Sequence, residues 1–210
     1  GREAYAPYPM FVGSALIAWR FFSNIVNKSA GMIRSRTSLI RSVAFPLAVL
    51  PVSRVAVESV FFLIALIILT CVAPLFGVSI GSTVIQLPAL FLAQVVLALG
   101  LSLFAAGIGM VIYDLPSIMS HLLRVVFYLS PVIYGANLVV SRFGEESIWS
   151  WIYLHSPLAI LFHGYRSVLW DPGWMAASDW AWLVGEAVAM LVIGYLVFLR
   201  FEGNAVKMMH

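Results

Sequence analysis

The chain has 210 residues, of which 62% are hydrophobic and only 10% charged. That is far below the roughly 25% charge usual in soluble domains, so the composition excludes an ordinary water-soluble fold and points to an integral membrane protein. The net charge of +3 does not point to nucleic acid, because the basic residues cluster along the chain by position, as topogenic charges do. Cys71 is the sole cysteine, which excludes an intrachain disulfide and suggests no Cys/His metal site.

The opening, Gly1-Arg-Glu-Ala-Tyr-Ala-Pro-Tyr-Pro9, has neither a signal-peptide pattern nor an initiator methionine. It is expected to follow an earlier part of a longer protein. Pro7 and Pro9 break the entry, and a first span is predicted over residues 10–33. Arg20, Asn24, Asn27 and Lys28 recur within it at helical spacing. They give it one polar face, expected to turn toward protein or a wet cavity.

Residues 34–54 form the stretch around which the chain is organised. From Lys28 to Arg54 lie five of the twelve Lys and Arg residues and no acid. A short basic connector between spans marks the cytoplasmic side. Leu39, Ile40, Val43 and Phe45 are interleaved with Arg34, Arg36 and Arg41. A topogenic loop needs only the charges, whereas a short helix docking a partner needs both sets. Pro46 and Pro51 are expected to stop that helix and set the angle of the next span.

Further spans are predicted over 55–76, 86–112, 118–137 and 181–199, five in all. No acid or base occurs between Glu58 and Asp114, enough for two spans at about 20 residues each. Gly100, Ala105, Ala106, Gly107 and Gly109 are read as close helix packing. Ser130-Pro131 breaks the outer half of the fourth span. Residues 138–180 differ, carrying Arg142, Glu145, Glu146, Asp171, Asp179 and a dense set of Trp and Tyr. This is a membrane-interface composition. Two short helices hinged at Ser156-Pro157 are predicted there, lying in the outer interface or dipping back into the membrane. The fold class is all-α, a polytopic helical bundle forming one membrane domain.

Lys28, Arg34, Arg36, Arg41, Arg54, Arg124, Arg200 and Lys207 fall on one predicted side. Arg2, Arg142 and Arg166 fall on the other. The excess places the connector and the C-terminus in the cytoplasm, with the start of the chain outside. The two lysines, Lys28 and Lys207, follow no glycine-rich phosphate loop. The chain therefore lacks the usual Walker arrangement for hydrolysing ATP. His121, His155, His163 and His210 show no zinc spacing and no adjacent nucleophile. No catalytic or metal residue is assigned.

Four segments carry a resemblance. Trp19-Arg-Phe-Phe22, Leu39-Ile-Arg-Ser-Val-Ala-Phe45-Pro46 with Leu50-Pro51, Leu129-Ser-Pro-Val-Ile-Tyr134, and Ser156-Pro157 with Tyr165-Arg166 occur in that order. They resemble the motifs of the membrane (permease) subunits of type 2 ABC exporters, specifically those that export polysaccharides, and the tail Arg200-Phe-Glu202 fits the family's ending. The chain departs from the pattern at Tyr113-Asp114, where the family often has Arg-Asp, and at Ser156, where it has Asn. The family has six spans behind an amphipathic interfacial helix. The resemblance therefore implies a further span upstream of Gly1.

The resemblance implies a homodimer with two copies of a separate nucleotide-binding ATPase subunit, in a bacterial plasma membrane. It implies that this chain binds no cofactor, with ATP and Mg held by the partner. Leu39, Ile40, Val43 and Phe45 would plug into the ATPase, Arg34, Arg36 and Arg41 would add charged contacts, and Pro46 would close the segment. The cargo would be a lipid-linked glycan, such as an O-antigen, a teichoic acid or a galactan. Sugar rings stack on aromatics, which makes Phe22, Tyr134, Tyr165 and Trp170 candidates for the path. Arg20 or Arg166 would meet a phosphate or pyrophosphate. A drug- or lipid-exporting permease of the same superfamily is the alternative. A membrane enzyme acting on lipid-linked sugar would need paired acids, for which Glu145, Glu146 and Asp171 are the supply.

Overall fold

A computed structural model describes residues 8–37, 46–135, 141–144 and 147–209, with side chains to residue 203. Leu39, Ile40, Arg41, Val43 and Phe45 lie outside the described residues, as do Arg2, Asn137, Glu145, Glu146 and His210. The described residues are helical, with no strand among them. In chain order the α-helices are α1 (Tyr8–Ser29), α2 (Val49–Val72), α3 (Gln86–Gly109), α4 (Leu115–Leu129), α5 (Ile148–Leu154), α6 (Pro157–Leu169) and α7 (Ala177–Met209).

Among the described residues, four segments are long and apolar enough to cross a membrane: Tyr8–Ser29, Val49–Phe76, Ser82–Gly109 and Ala177–Gly203. The fourth expected span, 118–137, differs. Its helix is α4, 15 residues long. At about 1.5 Å per residue it reaches only about 22 Å, short of a hydrocarbon core of about 30 Å. Pro131 supplies no backbone N–H, and the chain turns at Ser130–Val132 instead of continuing as a helix.

Other boundaries moved for local reasons. α2 starts at Val49, not near residue 55. Pro51 therefore sits inside its first turn, where the missing N–H costs nothing, and does not terminate a preceding helix. Ala73–Phe76 continues α2 as a 3-10 turn. It is closed by Gly77 at φ +80°, whose N–H donates to the Ala73 and Pro74 carbonyls. The two short helices over 148–169 are present and meet at Ser156-Pro157. Ser156 caps α6, its hydroxyl accepting from the Ala159 N–H at 3.4 Å, and Pro157 takes the first helical position.

The chain falls into two compact units. The first draws on Gly1–Arg20, Phe62–Ala93 and Val126–Gly185, the second on Phe21–Phe61, Gln94–Val125 and Glu186–His210. In the first, Met10, Ala73 and Val78 form a buried cluster. Phe62 stacks on Phe91 at 5.9 Å and meets Tyr165 edge-on at 5.8 Å. Gln86 joins the start of α3 to the segment before α7. Its Nε2 donates to the Gly173 carbonyl at 2.9 Å, and its Oε1 accepts from the Met175 N–H at 3.0 Å.

The second unit is held by close backbone approach. A Cβ on Gly194 would stand 1.9 Å from the Gly100 carbonyl oxygen, and one on Gly100 would stand 2.5 Å from the Met190 backbone. Gly107 lies against the Phe198 backbone, and Gly109 against the Ala30 carbonyl. The small residues of α3 thus serve the close packing expected of them. A core of Met32, Ile33, Leu47, Leu50, Leu103, Ala106, Met110 and Phe198 surrounds these contacts.

Candidate coupling and path residues

Around the connector, the second unit gathers three polar arrangements. Arg34 opens a 3-10 turn, Arg34–Arg36, shortly after α1 ends. Its Nε donates to the Gly109 carbonyl, and its Nη2 donates to those of Met110 and Val111, each at 2.9 Å. These carbonyls lie at and just past the end of α3, where the helix leaves acceptors unsatisfied and the dipole favours a cation. The guanidinium also lies 5.3 Å from the Tyr113 ring centroid. Arg34, expected to contact the ATPase, is exposed, and its Nε and Nη2 also hold these carbonyls within the chain.

The second arrangement surrounds Glu58 on α2. This carboxylate is 7% exposed. It accepts from Arg54 one turn earlier on the same helix. On α1, Lys28 Nζ lies 3.8 Å away and Asn24 Nδ2 donates at 3.4 Å. Of the polar positions on α1, Asn24 and Lys28 thus reach Glu58, while Arg20 and Asn27 are exposed. Glu58 was not singled out in the sequence, where an acid four residues after Arg54 reads as an ordinary helix pair.

The third is at the connector's far end. Pro46 is exposed, and Leu47 is buried. The Leu47 N–H donates to Glu202 Oε1, from α7, at 3.3 Å. Arg36 is exposed on the 3-10 turn, which leaves it displayed.

The first unit centres on Arg166 of α6. This side chain is 7% exposed. Its Nη2 donates to the Val132 carbonyl at 2.8 Å and its Nε to the Phe11 carbonyl at 3.3 Å. The guanidinium lies 3.6 Å from the Phe11 ring centroid. Burial lowers its pKa to about 10, while Tyr153 and Tyr8 nearby act the other way. The group stays protonated at neutral pH. It pins the turn after α4 to the start of α1, and its donors serve carbonyls instead of facing an open path. Tyr165 is fully buried, and burial raises its phenol well above the usual value. Its ring belongs to the packing with Phe62, so it too does not line an open surface.

The remaining path candidates are placed differently. Tyr134 is partly exposed, and its hydroxyl donates to the Tyr128 and Leu129 carbonyls at the end of α4, at 3.0 and 2.9 Å. Trp170 is partly exposed and meets Phe11 edge-on at 4.9 Å. Its buried indole N–H has no acceptor among the described residues. Arg20 is exposed, whereas Phe22 is buried. An open, mostly apolar groove runs between the end of α4 and the α5–α6 hinge, lined in part by Leu129, Trp149, Ile152, Tyr153 and Pro157. None of the sequence-derived candidates lines it, because apolar groups at that hinge read in sequence only as an interfacial belt.

No family model matches the chain. It is 29% identical over 192 residues, 91% of its length, to O-antigen export system permease protein RfbA of Myxococcus xanthus, covering 72% of that protein. It is 23% identical over 196 residues, 93% of its length, to a protein of the same name from Klebsiella pneumoniae, covering 73% of it. A second Klebsiella pneumoniae protein of that name is 24% identical over 162 residues, 77% of this chain and 60% of that protein. Four apolar helices and similarity to permeases make this a multi-pass membrane protein. The similarity to these permeases, extending over most of the chain, agrees with the resemblance its motifs carry to the membrane subunits of type 2 ABC exporters.

Proposed function

We propose that this chain is the path-forming permease of an ATP-driven exporter that moves a lipid-linked polysaccharide across a bacterial plasma membrane. The observation that carries the reading is the similarity to O-antigen export permeases over more than nine-tenths of the chain. An O-antigen is the cargo those relatives favour over a teichoic acid or a galactan. Two copies of the chain enclose the path, because one copy offers few spans for a wide polar polymer. Two ATPase subunits, holding ATP and Mg, supply the energy. Arg20, Tyr134 and Trp170, the candidates with exposed or partly exposed side chains, are the path residues.

The connector is the docking surface. Leu39, Ile40, Val43 and Phe45 form its apolar plug, with Arg36 and Arg41 beside them and Pro46 at the end. Large apolar side chains at an interface centre commonly cost above 1 kcal/mol when truncated. Ile40→Ala combined with Phe45→Ala is therefore expected to leave insertion intact and weaken association with the ATPase about tenfold or more. Co-purification from membranes measures this, with a Walker-type ATPase expected in the unmutated pull-down. Full partner binding by the double variant would make the connector merely topogenic.

Orientation has its own test. Reporter fusions after Arg41 and after Lys207 are expected to read cytoplasmic, and a fusion within 145–147 to read external. A cytoplasmic signal at Glu146 would overturn the topology.

A further inference from the structure

The connector joins α1 to α2 covalently, yet the groups fastening its two ends belong to α3 and α7. At its start, Arg34 holds three carbonyls at the end of α3. At its finish, Glu202 of α7 accepts from the Leu47 N–H. Both fastenings lie in one compact unit. They are backed by tight contacts: Gly109 of α3 lies against the Ala30 carbonyl just after α1, and Gly107 of α3 lies against the Phe198 backbone of α7.

We infer that Arg34 and Glu202 are positioning residues that pass a displacement of the connector to α3 and α7, beyond the two helices it joins. This rests on the coupling role proposed above. A planar guanidinium holding three acceptors fixes direction as well as distance, which a lysine ammonium on a flexible stem does not. Without these fastenings, a push on the connector would be absorbed by the turns at 30–36 and 46–48. The turns would bend, and α3 and α7 would stay behind. Packed elements respond as bodies only where their contacts resist such shear.

The test uses the full chain with its ATPase partner in nanodiscs. An environment-sensitive fluorophore is placed at Val52→Cys on α2, at Ile112→Cys just past α3 or at Tyr195→Cys on α7, each in a Cys71→Ser background. All three positions are exposed. In the otherwise unmutated complex, adding ATP is expected to change the signal at all three. Arg34→Lys keeps the positive charge for topology. It is expected to cut the Ile112 response at least about fivefold while leaving the Val52 response in place, the loss expected when a coupling of ordinary strength is removed. Glu202→Leu is expected to do the same at Tyr195, and Glu202→Gln, which retains an acceptor oxygen, to restore it. A merely structural role would depress all three signals together with protein abundance. Persistence of the Ile112 and Tyr195 responses in Arg34→Lys and Glu202→Leu would overturn the inference while leaving the coupling role intact. No ATP response at Val52 in the unmutated complex would instead remove the coupling role itself, and the inference with it.

Discussion

Gly194→Ala is expected to destabilise the protein by about 2 kcal/mol or more, whereas Gly185→Ala on the same helix is expected to be harmless. The added Cβ at position 194 would lie 1.9 Å from the Gly100 carbonyl oxygen, while at position 185 nothing lies within 4 Å. The obstacle at 194 is backbone, so no side-chain rotation relieves it, and α3 and α7 must separate locally. Overpacking of a filled site typically costs 1–3 kcal/mol and occasionally more. A clash this close with a carbonyl belongs at or above about 3 kcal/mol on that scale. Alanine's better helix propensity returns only about 1 kcal/mol. At position 185 that gain stands unopposed. Thermal unfolding of the detergent-purified protein, followed by tryptophan fluorescence, compares the two. Equal melting temperatures for the two variants would mean that α3 and α7 do not approach as described.

The second large effect is expected at Glu58. Glu58→Gln keeps the shape of the side chain but removes the only acid that Arg54 and Lys28 reach among the described residues. Removing one partner of a fully buried ion pair costs about 3–5 kcal/mol, because the remaining charge is left desolvated. The Lys28 side chain is 58% exposed, so water screens its share. The expected loss is therefore about 2 kcal/mol, arising chiefly at Arg54. Adding Arg54→Gln to Glu58→Gln is expected to recover part of it. Neighbouring charges of this kind couple by about 0.5–3 kcal/mol in a double-mutant cycle. Additive losses in the cycle would show that Arg54 and Glu58 do not act on one another.

These two expectations stand at different distances from the sequence. Gly100, Gly107 and Gly109 were legible as packing residues, because runs of small side chains in an apolar helix have few other uses. Their counterpart Gly194 was not, since a lone glycine in α7 looks the same whether it faces lipid or backbone. Gly185 shows this directly. Glu58 entered the sequence reading only as the last charge before a long uncharged run. Its reach to Lys28 and Asn24 crosses 30 or more residues of chain, and no periodicity encodes that.

By itself, the sequence determined the all-α membrane class, the apolar segments, the hinge at Ser156-Pro157 and the relationship to exporter permeases. Each rests on local chemistry: charge depletion over span-length runs, a serine cap ahead of a proline, and motifs in order along the chain. Only the tertiary structure decided which charges were already engaged. Arg34 and Arg166 both read as free cations waiting for a partner or a phosphate. Each also meets backbone carbonyls brought from 34 to 155 residues away, Arg34 while remaining exposed. Backbone acceptors are the same in every residue, so sequence carries no mark of which carbonyls a helix end will leave open or which arginine will fold back to meet them.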